Sequence, residues 1–336
     1  MTDDAYLDEQ EYYDEVWSPS RREQKTARKR SKRPNGEVDA QQIAALAEPT
    51  GIEGGFVTSY QPARFEAGWL IDSLRSFYED TLISDVLARV KGGKEANVYR
   101  CAAEPTTGET LLAAKVYRPR QFRNLRNDKL YREGRTILTA EGRPVKSSDQ
   151  RLMRAIGKKT ATGVQVEHTS WLMHEYTTLE RLHQRGAAVP KPLAVNANAL
   201  LMTYSGDEQI AAPTLNGVRL VREEATPLFR EVVRNIALML REGLIHGDLS
   251  AYNILYWQGA IMLIDFPQVT NSQTNSRAHD LLLRDVTRVC EYFSQQGVRC
   301  NPMAITTDLW SRYAALDPDD AAADASVEQA VLDEMP

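Results

Sequence analysis

Cysteine is scarce in this chain: Cys101, Cys290 and Cys300 are scattered through 336 residues. An odd count argues against a disulfide framework, and the spacing matches no metal-ligand pattern, so they read as small hydrophobes in a reducing compartment. Long hydrophobic runs are missing too. No apolar stretch approaches the roughly 20 residues that a membrane-spanning helix needs. The opening residues, Met1 to Tyr6, have neither the basic start nor the apolar stretch of a secretory signal. The expectation is a cytoplasmic protein with no membrane partner. Internal repeats are also absent. What is present is a 42% hydrophobic fraction, enough for a substantial core in a two-lobed domain with flexible ends.

Charge is segregated beneath a net value of −5. Residues 1–16 carry seven acids and no base, whereas residues 21–33 carry eight bases against the single acid Glu23. The stretch from Asp317 to Pro336 is acidic again and rich in alanine. Such blocks rarely pack, so residues 1–60 read as a disordered arm and 317–336 as an acidic tail. The basic run 21–33 could contact RNA or a ribosomal surface through phosphates, or fold back on the acids before it. The sequence does not separate these two readings.

Between the arms the apolar pattern alternates between helical and extended periods. Trp69 to Val90 carries Leu70, Leu74, Phe77, Leu82 and Val86 at helical spacing, which predicts one or two amphipathic helices. Val90 to Arg100 and Leu111 to Tyr117 predict strand, glycine turn, strand and a further strand. Residues 120–165 are polar and basic, with a flexible insert expected near 141–163. Order resumes at Trp171, where Trp171, Leu172, Glu175, Leu179 and Leu182 share one helical flank. Val189 to Val195 and Ala199 to Tyr204 are strand candidates, ending at a crossing point, Ser205 to Asp207. Thr226 and Pro227 predict a helix start, as N-cap and first-turn proline, with a stop at Gly243. A further helix is expected from about Ala278 to Gln296. The division that follows is an N-lobe over 61–205 and a C-lobe over 206–316.

The chemistry concentrates in Leu244 to Tyr256 and Met262 to Gln268. Asp248 stands five residues before Asn253, and Asp265 follows a short apolar strand. Ile254 to Tyr256, the turn Gln258–Gly259 and Ile261 to Ile264 predict a β-hairpin whose ends bring Asn253 and Asp265 side by side. Phosphoryl transfer needs a carboxylate to orient and deprotonate the nucleophile, and oxygen ligands to hold Mg²⁺ against phosphates. Asp248 fits the first role; Asn253 and Asp265 fit the second. The blander alternative is a surface hairpin with solvated carboxylates. Against it, both aspartates border strongly apolar sequence, where an unpaired charge is expensive.

Nucleotide-binding parts stand in the expected order. Lys115, in the strand Leu111 to Tyr117, would reach the α- and β-phosphates of ATP, with Glu175 as its carboxylate partner. Gly92, Gly93 and Lys94 form a turn whose backbone N–H groups could face phosphates, although paired glycines are more often only a hairpin turn. Met202 to Gly206, including Tyr204, would be the hinge beside adenine. Val98, Ala113 and Leu255 are candidate apolar contacts to the base, and equally plain core residues.

These motifs together resemble the RIO family of atypical protein kinases. Gly93 to Tyr99 (GKEANVY), His246 to Asn253 (HGDLSAYN), Ile264 to Gln268 (IDFPQ) and Leu281 to Val286 (LLLRDV) carry the resemblance, which spans about residues 70 to 300. It implies an α+β, trimmed two-lobed kinase-like fold, with an antiparallel N-lobe sheet plus helix and a mostly helical C-lobe. It also implies ATP with Mg²⁺ or Mn²⁺, and serine phosphorylation or ATPase activity on a protein substrate the sequence does not name. Asp248 is then the proton acceptor, and Asp265 the metal ligand and, in some members, a transient aspartyl-phosphate. Gly247 replaces the arginine of ordinary kinases, Ser250 their catalytic lysine, and no Ala-Pro-Glu segment follows Asp265.

Two other classes remain open at this point. A small-molecule phosphotransferase of the aminoglycoside or choline kinase type also carries a His-x-Asp-x-x-x-x-Asn element, although the glycine turn and short C-lobe argue against it. A non-enzymatic assembly factor for ribosomes, switched by ATP, is the other.

Overall fold

The computed structural model of this protein describes residues 56, 58–93, 95–118, 137–139, 142–145, 149–158 and 160–313. Residues 1–55 with the basic run 21–33, the tail 317–336 and Lys94 lie outside the described residues, whereas Phe56, inside the arm expected to be disordered over 1–60, is buried in the core.

A five-stranded antiparallel sheet organises the first lobe. Helix α1 (Arg64–Glu79) precedes strands β1 (Ile83–Gly92), β2 (Ala96–Ala103), β3 (Leu111–Tyr117), β4 (Pro192–Val195) and β5 (Ala199–Thr203), ordered β1-β2-β3-β5-β4 in space. Successive side chains of a strand point to opposite faces. Leu112, Ala114 and Val116 of β3 therefore join Leu70, Leu74 and Phe77 of α1 in one buried core. The register sets Val98 opposite Lys115 and Ala113 opposite Met202. Directly paired residues share a face, so Val98, Ala113, Lys115 and Met202 lie on the face away from α1.

The helical reading of Trp69 to Val90 holds only as far as Glu79. Asp80 caps α1, Thr81 takes a positive φ of 52°, and Val86 is a buried residue of β1. The apolar spacing of Leu82 and Val86 satisfies helix and strand equally over so short a run, and the reversal at Asp80–Thr81 decides it.

The stretch near 141–163, expected as a flexible insert, is helical in part. Its later part holds α2 (Gln150–Gly157) and the start of α3 (Ala161–Gln184), ten residues before the expected beginning at Trp171. Asp149 caps α2 by accepting from Leu152 N, and Thr160 caps α3 by accepting from Gly163 N. Gly163 lies in the first turn of α3, where a Cβ would collide with the Ala155 carbonyl oxygen. The glycine lets α2 and α3 approach, and packing overrides its poor propensity.

Helix α4 (Arg222–Arg241) begins four residues before Thr226, so Pro227 lies inside it. Glu223 and Glu224 in the first turn complement the helix dipole. Pro227 is exposed, so the helical bond that it cannot make is lost on the wet side. Gly243 ends the segment with a φ of +67°. Helix α5 (Ala278–Gln295) lies where expected, and α6 (Pro302–Tyr313) was not foreseen. The larger core joins α4, α5 and α6 through residues such as Phe229, Ile236, Leu282, Phe293 and Leu309, with Leu179 and Leu182 of α3.

Two small ladders hold the chemical segment. Strand β6 (Leu244–Ile245) pairs with β9 (Thr270–Asn271), closing the base of everything between them. Within that span β7 (Ile254–Trp257) and β8 (Ala260–Leu263) form the expected hairpin, turning at Gln258 and Gly259 with φ of 50° and 83°. Among the described residues, no helix is long and apolar enough to cross a membrane.

Candidate active site

Lys115 reaches from β3 to two carboxylates at once. Its Nζ lies 2.6 Å from Glu175 Oε1 on α3 and 2.6 Å from Asp265 Oδ1 beyond the hairpin. Glu175 is buried, accepts the Tyr117 hydroxyl on its other oxygen, and receives the Phe266 N–H at 3.4 Å. Burial opposes the charge on Lys115, but Asp265 and Glu175 outweigh it and hold its pKa well above the ordinary value. Burial pushes the Tyr117 hydroxyl well up, and the Glu175 charge adds to it. For Asp265, desolvation acts upward, but the Lys115 ammonium prevails and its pKa is lowered. Asp265 also sits at φ +71°, a left-handed conformation that Asp tolerates better than most residues.

Residues around Asp248 are fixed from several sides. Asp248 Oδ1 accepts Arg288 Nη1 at 2.7 Å, while Asn253 Nδ2 donates to the Asp248 carbonyl at 2.9 Å and to Oδ2 at 3.3 Å. Burial raises the Asp248 pKa, and the Arg288 charge works against that rise. His246 packs against Phe266 with ring centroids 4.8 Å apart and the rings tilted by 47°. Burial drives its pKa down to about 4, so the ring is neutral near pH 7. The Asp248 N–H donates to Nδ1 at 3.3 Å, which places the ring proton on Nε2, facing the Ile264 carbonyl at 3.1 Å.

Asp285 of α5 holds the loop from below. Its two oxygens accept the Gly247 N–H at 2.7 Å and the Leu249 N–H at 3.1 Å, while Arg284 donates to the Gly247 carbonyl. Burial pushes the Asp285 pKa up to about 7. Gly247 adopts φ +81°, a left-handed conformation that favours glycine.

The sequence-derived candidates fall as follows. Lys115, Glu175 and Asp265 touch, as do Asp248 and Asn253. Asn253 and Asp265 are linked through the backbone, since the Ile264 N–H donates to the Asn253 carbonyl at 2.9 Å. Val98, Ala113 and Met202 lie on the Lys115 face of the sheet. Two residues beyond Met202, Tyr204 keeps its hydroxyl oxygen buried without a hydrogen-bond partner. Leu255 is half-buried in β7 and bridges to Thr214. Gly92 ends β1, and the Gly93 N–H donates to Asn97 Oδ1 at 3.3 Å. A Cβ at Gly93 would lie 2.7 Å from the Ala96 carbonyl oxygen, so the tight turn requires glycine. Asn97 also donates to Glu66 of α1 at 3.3 Å, tying the turn to that helix.

Sequence reasoning assigned no role to Tyr117, His246, Arg288 or the pair Arg284–Asp285. Signals for some of these existed. Tyr117 stands two residues from Lys115 on the same strand face, and residues 284, 285 and 288 share one helical face.

A family model described as the RIO domain matches residues 97–305. The chain is 29% identical over 228 residues to the serine/threonine-protein kinase RIO1 of Chaetomium thermophilum, covering 65% of this chain and 41% of that protein. It is 32% identical over 211 residues to the RIO-type serine/threonine-protein kinase Rio1 of Haloferax volcanii, covering 62% of this chain and 63% of that one. Against human serine/threonine-protein kinase RIO1, identity is 27% over 218 residues, 65% of this chain and 34% of the human one. The chain thus spans less than two thirds of the length of these relatives. With more than half its own length matched by that model, and with the two-lobed fold and site in place, this chain belongs to the RIO family.

Proposed function

We propose that this chain is an ATP-dependent serine/threonine protein kinase of RIO type, with autophosphorylation among its reactions. The observation that carries this reading is the Lys115 ammonium held 2.6 Å from both Glu175 and Asp265, beside a loop that sets Asp248 against Asn253. A buried cation with two carboxylates suits a phosphate-binding lysine that must be held ready in position. The names of the relatives, all serine/threonine-protein kinases, agree with it.

The donor chemistry fits Mg²⁺ or Mn²⁺. Asn253 and Asp265 would hold the ion as two hard oxygen ligands, a number suited to a cation that keeps waters and substrate phosphates. Bound there, it supplies positive charge against the phosphates. The orphaned Tyr204 hydroxyl, near Met202 at the end of β5, fits a polar group of the nucleotide. On this reading Lys115 orients the α- and β-phosphates, and Asp248 orients the acceptor hydroxyl and takes its proton. Val98, Ala113 and Met202 offer an apolar wall to the base.

The test is transfer of label from γ-labelled ATP with Mg²⁺, comparing the protein with an Asp248→Ala, Asp265→Ala double variant. Acid-stable phosphoserine or phosphothreonine, lost in the variant, is the expected result. Label that hydroxylamine removes would point instead to an acyl-phosphate and an ATPase switch. Equal labelling of both proteins would overturn the proposal.

A further inference from the structure

Charge has to be met beside the acceptor carboxylate. Ordinary kinases usually place a lysine two residues after the catalytic aspartate, and here that position is Ser250. Its hydroxyl accepts the Tyr252 N–H at 3.4 Å and caps a short 3-10 turn, so it serves the backbone and brings no charge. The cation next to Asp248 comes from elsewhere. Arg288, on α5 and 40 residues further along, places Nη1 2.7 Å from Asp248 Oδ1.

Several features set this pair apart from an ordinary surface ion pair. The side chains are only 16% and 15% exposed, so solvent screens them weakly. Arg288 shares a helical face with Arg284 and Asp285, which grip the Gly247 carbonyl and the Gly247 and Leu249 N–H groups. One helix face therefore fixes both the backbone of the loop and the carboxylate it presents. Asn253 meets the other Asp248 oxygen at 3.3 Å, so the carboxylate is held from two sides. Each oxygen retains a lone pair for an acceptor hydroxyl.

We propose that Arg288 is a positioning residue for phosphoryl transfer, fixing the Asp248 carboxylate toward the acceptor hydroxyl and supplying beside it the charge that Ser250 lacks. This rests on the kinase reading above. In the step itself, the acceptor oxygen bonds to the γ-phosphorus as the bond from that phosphorus to the bridging oxygen breaks. ADP leaves with the electron pair, and the hydroxyl proton passes to Asp248. Arg288 takes part in neither bond change; it sets where Asp248 stands.

Steady-state phosphoryl transfer from Mg²⁺–ATP, to protein or to water, is measured for the full chain and for Asp248→Asn, Arg288→Ala and Arg288→Lys, with circular dichroism on each. Arg288→Ala is expected to lower kcat by about 10- to 100-fold, with KM for ATP within about twofold because Lys115 and Asp265 are untouched. Arg288→Lys keeps the charge without the planar fork and recovers part of kcat. Added methylguanidinium restores part of the Arg288→Ala rate, which a purely structural role would not allow. If Arg288→Ala does not fold, Arg288→Lys decides: wild-type kcat there overturns the proposal, and a lowered kcat with unchanged KM upholds it. An active, Asp248-dependent enzyme in which folded Arg288→Ala keeps wild-type kcat, or loses kcat and KM together without rescue, overturns this inference alone. Equal turnover by wild type and Asp248→Asn would instead remove the kinase reading, and the inference with it.

Discussion

The Lys115 ammonium lies 2.6 Å from a carboxylate oxygen of Asp265, a residue 150 positions further along the chain. Glu175 takes the same ammonium at the same distance. One cation therefore ties the sheet of the first lobe to α3 and to the loop that follows the β7–β8 hairpin. Asp265 is 45% exposed at its side chain, whereas Glu175 is almost fully covered. The contact with Asp265 is the one that ligands can reach and exchange; the contact with Glu175 is the fixed one.

Replacing Lys115 by Met should separate structure from chemistry. Glu175 would be left buried with only the Tyr117 hydroxyl and a backbone N–H, a loss of about 3–5 kcal/mol for a broken buried pair. Turnover should fall on the order of 100-fold or more, as for removal of a charge-stabilising donor. Adding Glu175→Gln should return much of the stability and none of the turnover. Urea denaturation and ATP turnover on both variants check this, and a double variant as unstable as the single one would count against the buried-charge account.

On the proposed reading a divalent cation competes with Lys115 for Asp265, so nucleotide with Mg²⁺ should loosen the Lys115–Asp265 contact and leave Lys115 on Glu175. At roughly 100 times Kd, a ligand of the native state adds about 2.7 kcal/mol, which corresponds to a rise in Tm of roughly 5–10 °C. The increment from Mg²⁺ over nucleotide alone should vanish in Asp265→Asn. Thermal unfolding with a non-hydrolysable ATP analogue, with and without Mg²⁺, reads this directly. A full Mg²⁺ increment in the variant would remove Asp265 as a ligand.

Two buried groups near Asp248 should oppose each other in acid. His246 has a folded pKa near 4 against an ordinary 6.5, so between these values only the unfolded chain binds its proton, and stability falls as pH falls. Asp285 has a folded pKa near 7 against an ordinary 3.8, so between these values only the folded chain is protonated, and stability rises as pH falls. From about pH 6.5 to 4 the two slopes nearly cancel. Asp285→Asn should unmask the histidine, with stability dropping by up to about 1.4 kcal/mol per pH unit over that window. Denaturant midpoints at a series of pH values give the slope. No difference in slope between variant and wild type would show that one of the two burial effects is misassigned.

Legibility in the sequence followed how locally each feature is specified. The β7–β8 hairpin, α5 and the strands around Lys115 were readable because each carries its own period and turn chemistry, as at Gln258–Gly259. Lys115, Glu175, Asp248 and Asn253 were readable as candidates because order and spacing survive in one dimension. The boundary of α1 was misread because the spacing of Leu82 and Val86 suits helix and strand alike, and those of α3 and α4 because poor helix formers are tolerated: Gly163 lets α2 approach, and Pro227 sits on the wet side of α4. Arg288 and Tyr117 escaped notice because their partners, Asp248 and Glu175, are distant in sequence and meet only in the fold. Even so, the face shared by residues 284, 285 and 288 was a helical pattern available to be read.

Gly247 offers the sharpest test of how loop geometry serves chemistry. Its φ of +81° lies where an L side chain costs roughly 1–2 kcal/mol. Relief by rotating the backbone would break the bond from its N–H to Asp285 or the one from Arg284 to its carbonyl. Either route moves Asp248, the next residue, away from Asn253 and Arg288. Gly247→Ala should therefore lower stability by about 1–2 kcal/mol and kcat by tenfold or more. KM for ATP should hold, because Lys115, Glu175 and Asp265 belong to other segments. Restoring the arginine of ordinary kinases, Gly247→Arg, carries the same backbone cost with a larger side chain in a buried position, and should do worse on both measures. Stopped-flow or steady-state kinetics with parallel denaturation check it. A Gly247→Ala protein with wild-type kcat would mean that Asp248 is positioned by its side-chain partners alone, and that Asp285 serves stability only.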